Sequence, residues 1–313
     1  LIIFNFLIIF CFYLLGSYVI NKNDSYIKEQ KNFITFKVVS PNFDIQMNSV
    51  QKNIENNLKK IIRYSEPASD KKTFFIWPES ITSGAYYSDL LKYKNIIKEN
   101  FSDKHFIILG TNTKSEDKRF FYNSFIVINN NLKIIYKYNK NKLVPFGEFL
   151  PFENLLQSFG LKKITHGYGS FNKGTPAKNF EYSGMSILPL ICYEIIFPEL
   201  TQRSDASTNF IINISEDGWF GKTIGPYQHF SKSIFRSVEN NSYLIRSANK
   251  GVSAFINNKG KVLKRLEPYE AGMIELEVPV LSQNLKNKND LIFLILLFTY
   301  TITFLIFKKK NER

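Results

Sequence analysis

The chain has two cysteines, Cys11 and Cys192. Cys11 falls in an uncharged N-terminal run, so Cys192 is the single thiol of the folded part. It ends the apolar run "SILPLI" and precedes the polar pair Tyr193-Glu194. Two other apolar runs also end on reactive side chains: "FFIW" leads to Pro78-Glu79-Ser80, and "KIIYKY" leads to Asn139-Lys140. Strand ends converge on one edge of an α/β sheet, which is where such folds assemble sites. A free thiol ionises near about pH 8.5, so only a few per cent is thiolate at pH 7. A nearby glutamate can take its proton. A nearby lysine can stabilise the thiolate, and then the oxyanion formed when it attacks a carbonyl; removing such a donor costs about 2.7–4 kcal/mol of barrier. Backbone N–H groups just after Cys192, at the start of an expected helix, are natural co-donors.

Each residue also has a plain structural explanation. A cysteine at the end of an apolar strand commonly fills a core. Glu79 fits a helix-start carboxylate, and Lys140 fits a solvated loop. His105, His166 and His229 show no metal-ligand spacing, His105 reads as structural, and nothing supports a Cys-His dyad. There is no GxSxG, no phosphate-cradling glycine loop and no paired CxxC. Residue types alone leave both a Glu79, Lys140 and Cys192 site and its inert alternative open.

Elements that would position these groups follow from periodicity. "NFITFKVVS" (32–40) is β-rich and leads into a helix in which Met47, Val50, Ile54, Leu58 and Ile61 recur at helical spacing. "KTFFIW" (72–77) has a buried-strand pattern and "DLLKYKNIIKEN" (89–100) a helical one. Strands are expected at 105–112, 119–129, 132–139, 185–192 and 209–215, with helices from about 194 and across 226–240. Four more strand-like runs close the domain at 242–248, 252–257, 260–266 and 272–278. This order predicts an α/β fold with helix layers covering sheet.

Residues 22–290 read as one domain between two uncharged runs, 1–20 and 291–307. With the lysines of the basic tail 308–313 snorkelling, the second run suits the ~30 Å hydrocarbon core. Its missing polar face argues against a buried core helix. The first run lacks a basic n-region and a small-residue cleavage site, so it reads as a membrane helix and not a signal peptide. Because the chain begins with Leu, residues 1–20 are expected to be the last helix of a missing N-terminal bundle. The terminal lysines place the tail in the cytoplasm and the large domain in the periplasm. The net charge of +14 comes with no basic helix, zinc-finger spacing or RNA-binding aromatic motif, so nucleic acid is excluded as a partner. The lysines can instead face lipid phosphates. With one cysteine, the domain can form no internal disulfide.

The segments around the three residues, "IWPES", "YNKNKLVPFGEFLPFE", "LICYEIIFPEL" and "NISEDGWFGKTIGPYQHF", occur in that order. Together they resemble the apolipoprotein N-acyltransferase family, inner-membrane enzymes whose periplasmic part belongs to the nitrilase superfamily. "LVPFGEFLP" is the most specific of them. The resemblance covers 22–290 and extends to the following membrane helix. It implies an α-β-β-α sandwich flanked by transmembrane helices. It also implies Glu79 as general base, Lys140 as electrostatic partner and Cys192 as nucleophile. Glu148 matches a second glutamate of the site, Tyr193 and Glu194 follow the nucleophile, and Trp219 and Phe220 match a "WFG" near it. The implied reaction is ping-pong, from a phospholipid acyl donor, typically phosphatidylethanolamine, through a Cys192 thioester to the N-terminal amine of a diacylglyceryl apolipoprotein. No cofactor and no metal are called for.

The stretch holding Phe146, Phe149, Leu150 and Phe152 reads as a lid or acyl-chain channel, with buried loop packing as the alternative. Departures from the family pattern are "SPNFDIQMNSV", which lacks a Trp common there, Glu216 in place of an Asn, and Lys250 within a usual "N-T-G". Two other functions use the same features: a membrane-tethered nitrilase-type amidase, and a non-catalytic lipoprotein-binding scaffold.

Overall fold

Alternation with a period of two decides which layer each side chain joins. In the computed structural model of the protein, the described residues are 2–28, 30–44, 54–68, 70–79, 81, 85–151, 170–201, 208–281 and 289–311. One six-stranded sheet contains β1 (Phe33–Ser40), β2 (Thr73–Ile76), β3 (His105–Lys114), β4 (Phe121–Asn129), β5 (Ile134–Asn139) and β12 (Gly272–Pro279), in the order β12-β1-β2-β3-β4-β5. The other contains β6 (Phe180–Tyr182), β7 (Met185–Ile191), β8 (Phe210–Glu216), β9 (Tyr243–Asn249), β10 (Ser253–Ile256) and β11 (Val262–Leu266), in the order β11-β10-β9-β8-β7-β6. Each sheet has a parallel centre, β1-β2-β3 in one and β7-β8-β9 in the other, with antiparallel strands outside it.

Phe74, Ile76, Phe106, Ile108, Phe125 and Val127 turn inward and pack against Ile187, Ile191, Phe210 and Ile212 of the opposing sheet. The Phe36 and Phe210 rings meet edge-on at 5.1 Å across this layer. The alternate residues Phe75, Trp77, Ile107, Leu109, Ile126 and Ile128 face outward. There they are covered by Leu58, Ile61 and Ile62 of α2 (Ile54–Ser65), by Leu90 of α3 (Tyr87–Leu90) and by Ile97 of α4 (Lys94–Asn100). The other sheet carries α5 (Gly225–Glu239) against β9 and β10. The expected α/β layering is present.

Three differences from the sequence reading have local causes. The helix expected from about 194 is a 3-10 turn, Cys192–Ile196. Pro198 follows it, and Phe197 before that proline is extended (φ −94°, ψ 103°), as pre-proline sterics favour. The helix expected at 89–100 is broken by a 3-10 turn, Leu91–Tyr93, between α3 and α4. The short edge strand β6 was not anticipated. Met47 and Val50 lie outside the described residues.

The N-terminal helix α1 (Ile2–Lys28) runs past residue 20. Its segment Asn5–Ser25 is, among the described residues, the one helix long and apolar enough to cross a membrane. Its C-terminal end is fixed to the domain, where buried Asn23 and Asn258 exchange amide hydrogen bonds of 2.9 and 2.8 Å. Residues 1–281 form one compact unit and 282–313 a second. The second holds α6 (Asn289–Asn311), whose side chains Phe293 to Phe298 are exposed. Thr299, Thr301 and Thr303 return their hydroxyls to the carbonyls four residues back at 2.7–2.8 Å, so the helix presents no bare donor there.

Candidate active site

Glu79 stands three residues beyond β2 (Thr73–Ile76), on a turn held against β3. Trp77 N donates to the Ile108 carbonyl at 2.8 Å, and the buried indole N–H reaches Ser65 Oγ at 2.9 Å. Gly110 of β3 makes the close approach possible, since a Cβ there would lie 2.8 Å from Glu79 Cα. Lys140 follows β5 directly. Its N–H donates to the Asn123 carbonyl, and its own carbonyl accepts from Gly174 N, both at 2.8 Å. Gly174 must be glycine, because a Cβ there would meet the Asn139 carbonyl oxygen at 2.1 Å. Cys192 follows β7. Its φ of +49° is left-handed, a conformation that costs a non-glycine residue about 1–3 kcal/mol and persists only where the surroundings impose it.

The strand ends bring a buried ionic cluster together. Lys140 Nζ lies 2.9 Å from Glu148 Oε1 and 3.8 Å from Glu79 Oε1. The Asn123 amide nitrogen bridges both carboxylates, donating to Glu79 Oε1 at 2.7 Å and Glu148 Oε1 at 2.8 Å. The second oxygens take backbone donors, Glu216 N on Glu79 and Val144 N on Glu148. Burial opposes the charge on Lys140, but Glu148, Glu79, Cys192 and Glu194 outweigh it and hold the ammonium well above the ordinary lysine range. Burial, then Glu79, push the Cys192 thiol up, with Lys140 pulling the other way. The resting thiol is therefore protonated, and a nucleophilic role would need a base to take its proton.

Glu194 is fully buried and its carboxylate is occupied. Oε1 accepts from Tyr138 OH at 2.7 Å, Asn141 N at 2.8 Å and Lys142 N at 3.0 Å, and Oε2 accepts from Ile191 N at 2.9 Å. It ties the end of β7 to the segment carrying Lys140. Tyr193 is partly buried, its ring 5.5 Å from that of Phe197. Phe220 stacks edge-on against His229 at 5.5 Å, while Trp219 is half exposed. Of the lid residues, Phe146 is exposed, Phe149 is partly buried and Leu150 is buried; Phe152 lies outside the described residues.

The departures have partners too. Glu216 Oε2 accepts from Asn249 Nδ2 at 2.8 Å and Oε1 from Gly218 N at 2.9 Å. Burial pushes this carboxyl up to about 8. Lys250, at φ +57°, pairs with Asp44 at 2.5 Å. Asn123 and His229 were not anticipated as site residues. A polar Asn inside "FFYNSFIVIN", and a His on the buried face of α5 beside Phe230 and Ser233, were the signals for them.

Comparison with known proteins agrees with this geometry. The carbon-nitrogen hydrolase family profile matches residues 45–286. The apolipoprotein N-acyltransferase of Rhizobium leguminosarum bv. trifolii is 35% identical over 229 residues, 72% of this chain and 43% of that protein. That of Rickettsia prowazekii is 33% identical over 253 residues, 79% of this chain and 50% of that protein. The chain thus spans about half the length of the curated relatives it matches. Among solved structures, the Xanthomonas campestris CN-hydrolase superfamily protein XC1258 aligns with a TM-score of 0.56 at 14% identity, covering 79% of this chain and 91% of that one. Saccharomyces cerevisiae Nit3, of the nitrilase superfamily, aligns with a TM-score of 0.55 at 17% identity, covering 80% and 91%. These likenesses establish the nitrilase-like two-sheet fold.

Proposed function

We propose, for a chain that belongs to the carbon-nitrogen hydrolase family, that it is the catalytic part of an apolipoprotein N-acyltransferase of the bacterial inner membrane. The observation that carries this reading is Glu148. It comes from "LVPFGEFLP", the most specific of the family-like segments, and it binds Lys140 more closely than Glu79 does, 2.9 against 3.8 Å. Glu148 is thus the nearer counter-ion of the ammonium, and Glu79 is left as the candidate base.

In the first half-reaction Glu79 takes the Cys192 proton, and the thiolate attacks the ester carbonyl of a phospholipid acyl chain. Lys140 faces the oxyanion. The C–O bond then breaks, Glu79 returns the proton to the departing alkoxide, and lysophospholipid leaves. In the second half the α-amino group of a diacylglyceryl cysteine attacks the thioester and gives a proton to Glu79. The C–S bond breaks and the thiolate recovers that proton. Splitting one hard transfer into two easier ones is the gain of covalent catalysis. Phosphatidylethanolamine is the proposed donor.

The exposed apolar helices α1 and α6 suit a multi-pass protein with its catalytic domain in the periplasm and its lysine-rich tail in the cytoplasm. Phe146 and Phe149 are the more accessible of the described candidates for acyl-chain contact, and Leu150 is buried. Mass spectrometry of the full-length protein after incubation with phospholipid vesicles tests the scheme. Transfer predicts a fatty-acyl mass on Cys192 that is absent in Cys192→Ala and is discharged by a diacylglyceryl peptide. Equal discharge by water would favour an amidase, and no adduct would favour a scaffold.

A further inference from the structure

Beside Cys192 lies a second buried network, whose residues take no part in the proposed reaction. Its centre is the ion pair of Asp217 with Arg246 of β9, 2.8 Å apart, with both side chains fully buried. Asp217 also accepts from Ser215 Oγ at 2.6 Å and lies 3.0 Å from His229 Nδ1. Arg246 reaches Asn213 Oδ1 and the Val252 carbonyl. Gly251 makes room for the pair, since a Cβ there would meet Asp217 Oδ2 at 2.1 Å.

The network delivers two N–H groups to one oxygen, the backbone carbonyl of Cys192. His229 Nε2 is 3.2 Å from it and Asn213 Nδ2 is 3.3 Å from it. A carbonyl only accepts, so the His229 proton sits on Nε2. Nδ1 lies between two buried groups, Arg246 Nη2 and Asp217 Oδ1, each 3.0 Å away. Burial, and then Arg246, depress the imidazole pKa, in keeping with a neutral ring. The same carbonyl belongs to a residue in the left-handed region, where the backbone leaves the β7 ladder.

We propose that His229 and Asn213 are positioning residues, whose hydrogen bonds to the Cys192 carbonyl hold the nucleophile in its left-handed conformation, with the thiol presented to Glu79 and Lys140. Asp217 and Arg246 act one step further back, fixing the donors. His229 thus serves the cysteine through its backbone, and not as a general base on sulfur. The inference rests on Cys192 being the nucleophile of the proposed transfer.

A pair of substitutions in the full-length protein tests it. Gln at 229 places an amide N–H near the position of Nε2, whereas Asn places its amide near Nδ1 and falls short of the Cys192 carbonyl. His229→Gln is expected to retain most of the acyl-adduct rate, and His229→Asn to lose about 10²-fold in kcat with KM unchanged. Alkylation of Cys192 by iodoacetamide should fall in the same order. Asn213→Asp keeps the contact with Arg246 but replaces the donor by an acceptor, and should match His229→Asn; it carries the test where His229→Asn does not fold. Folded variants that acylate and alkylate at the wild-type rate would overturn the proposal, as would Gln and Asn variants whose rates follow only their thermal stabilities. A wild-type protein that alkylates readily yet forms no acyl adduct sinks the transferase reading alone, because the alkylation order still reports on positioning.

Discussion

Two buried ionic clusters adjoin Cys192, and they are built to opposite ends. In the first, one ammonium, Lys140, faces two carboxylates, Glu79 and Glu148, so negative charge is in excess and a base remains. In the second, Asp217 and Arg246 match one to one, and the histidine beside them is held neutral by burial and by the arginine. The unbalanced cluster suits proton transfer. The balanced one suits rigidity. Neighbours in sequence can fall on different sides of this divide: burial opposes ionisation of Asp217, yet Arg246 holds its carboxyl far below the ordinary range, whereas burial pushes the adjacent Glu216, given only Asn249 and Gly218 as donors and Glu79 as a neighbour, up to about 8.

The contrast breaks most completely at the thiol. Cys192→Ala should remove the acyl adduct and lower transfer by about 10⁶-fold, read by single-turnover assay. Lys140→Met comes next, since it leaves two buried carboxylates without their cation. It should cost about 10²–10³ in acylation rate and about 3–5 kcal/mol in urea unfolding. Arg246→Met should cost a similar 3–5 kcal/mol by leaving Asp217 unpaired, with a smaller loss of acylation than Lys140→Met. Equal catalytic losses in the two variants would erase the distinction between a chemical and a supporting cluster.

A finer test uses pH. Glu216 has a folded pKa above the ordinary carboxyl value of 4.5, so the folded state keeps a proton that the unfolded chain releases. Its contribution to stability is fully present below pH 4.5 and is lost as pH rises through about 8. Asp217 has the opposite sign, giving stability above 3.8 that is lost on acidification. Melting of Glu216→Ala against wild type should therefore show the wild type losing ground between about pH 5 and pH 8, by up to about 1.4 kcal/mol per pH unit. A difference that does not change with pH would show that Glu216 is ionised throughout. The smallest effect is expected at half-exposed Trp219, where Trp219→Ala should change stability by no more than about 0.5 kcal/mol, checked by urea titration.

Much of the first cluster was legible in the chain. Apolar runs that stop at Glu79, Lys140 and Cys192 mark strand ends, because burying a polar side chain is costly and the apolar pattern ends where the strand does. Glu148 was legible through its segment, and not through any spacing to Lys140. The second cluster was not legible, though its residues stood in view. Arg246 interrupts "YLIRSAN" and Asn213 interrupts "NFIINIS". A charged or amide side chain inside an apolar run signals a buried partner, but nothing local says which one. The helix expected after Cys192 failed for a related reason, since the left-handed cysteine and Pro198 shorten it to a 3-10 turn.

The sequence by itself determined most of the strands and the three reactive groups at their ends, because those depend on periodicity and on the cost of burying charge. Only the tertiary structure decided that β2, β5 and β7, drawn from two different sheets, aim their ends at one place. It alone decided that His229, 37 residues from Cys192, meets the cysteine's carbonyl and not its sulfur. Contacts between distant residues depend on how sheets pack face to face, and no period within a single strand carries that information.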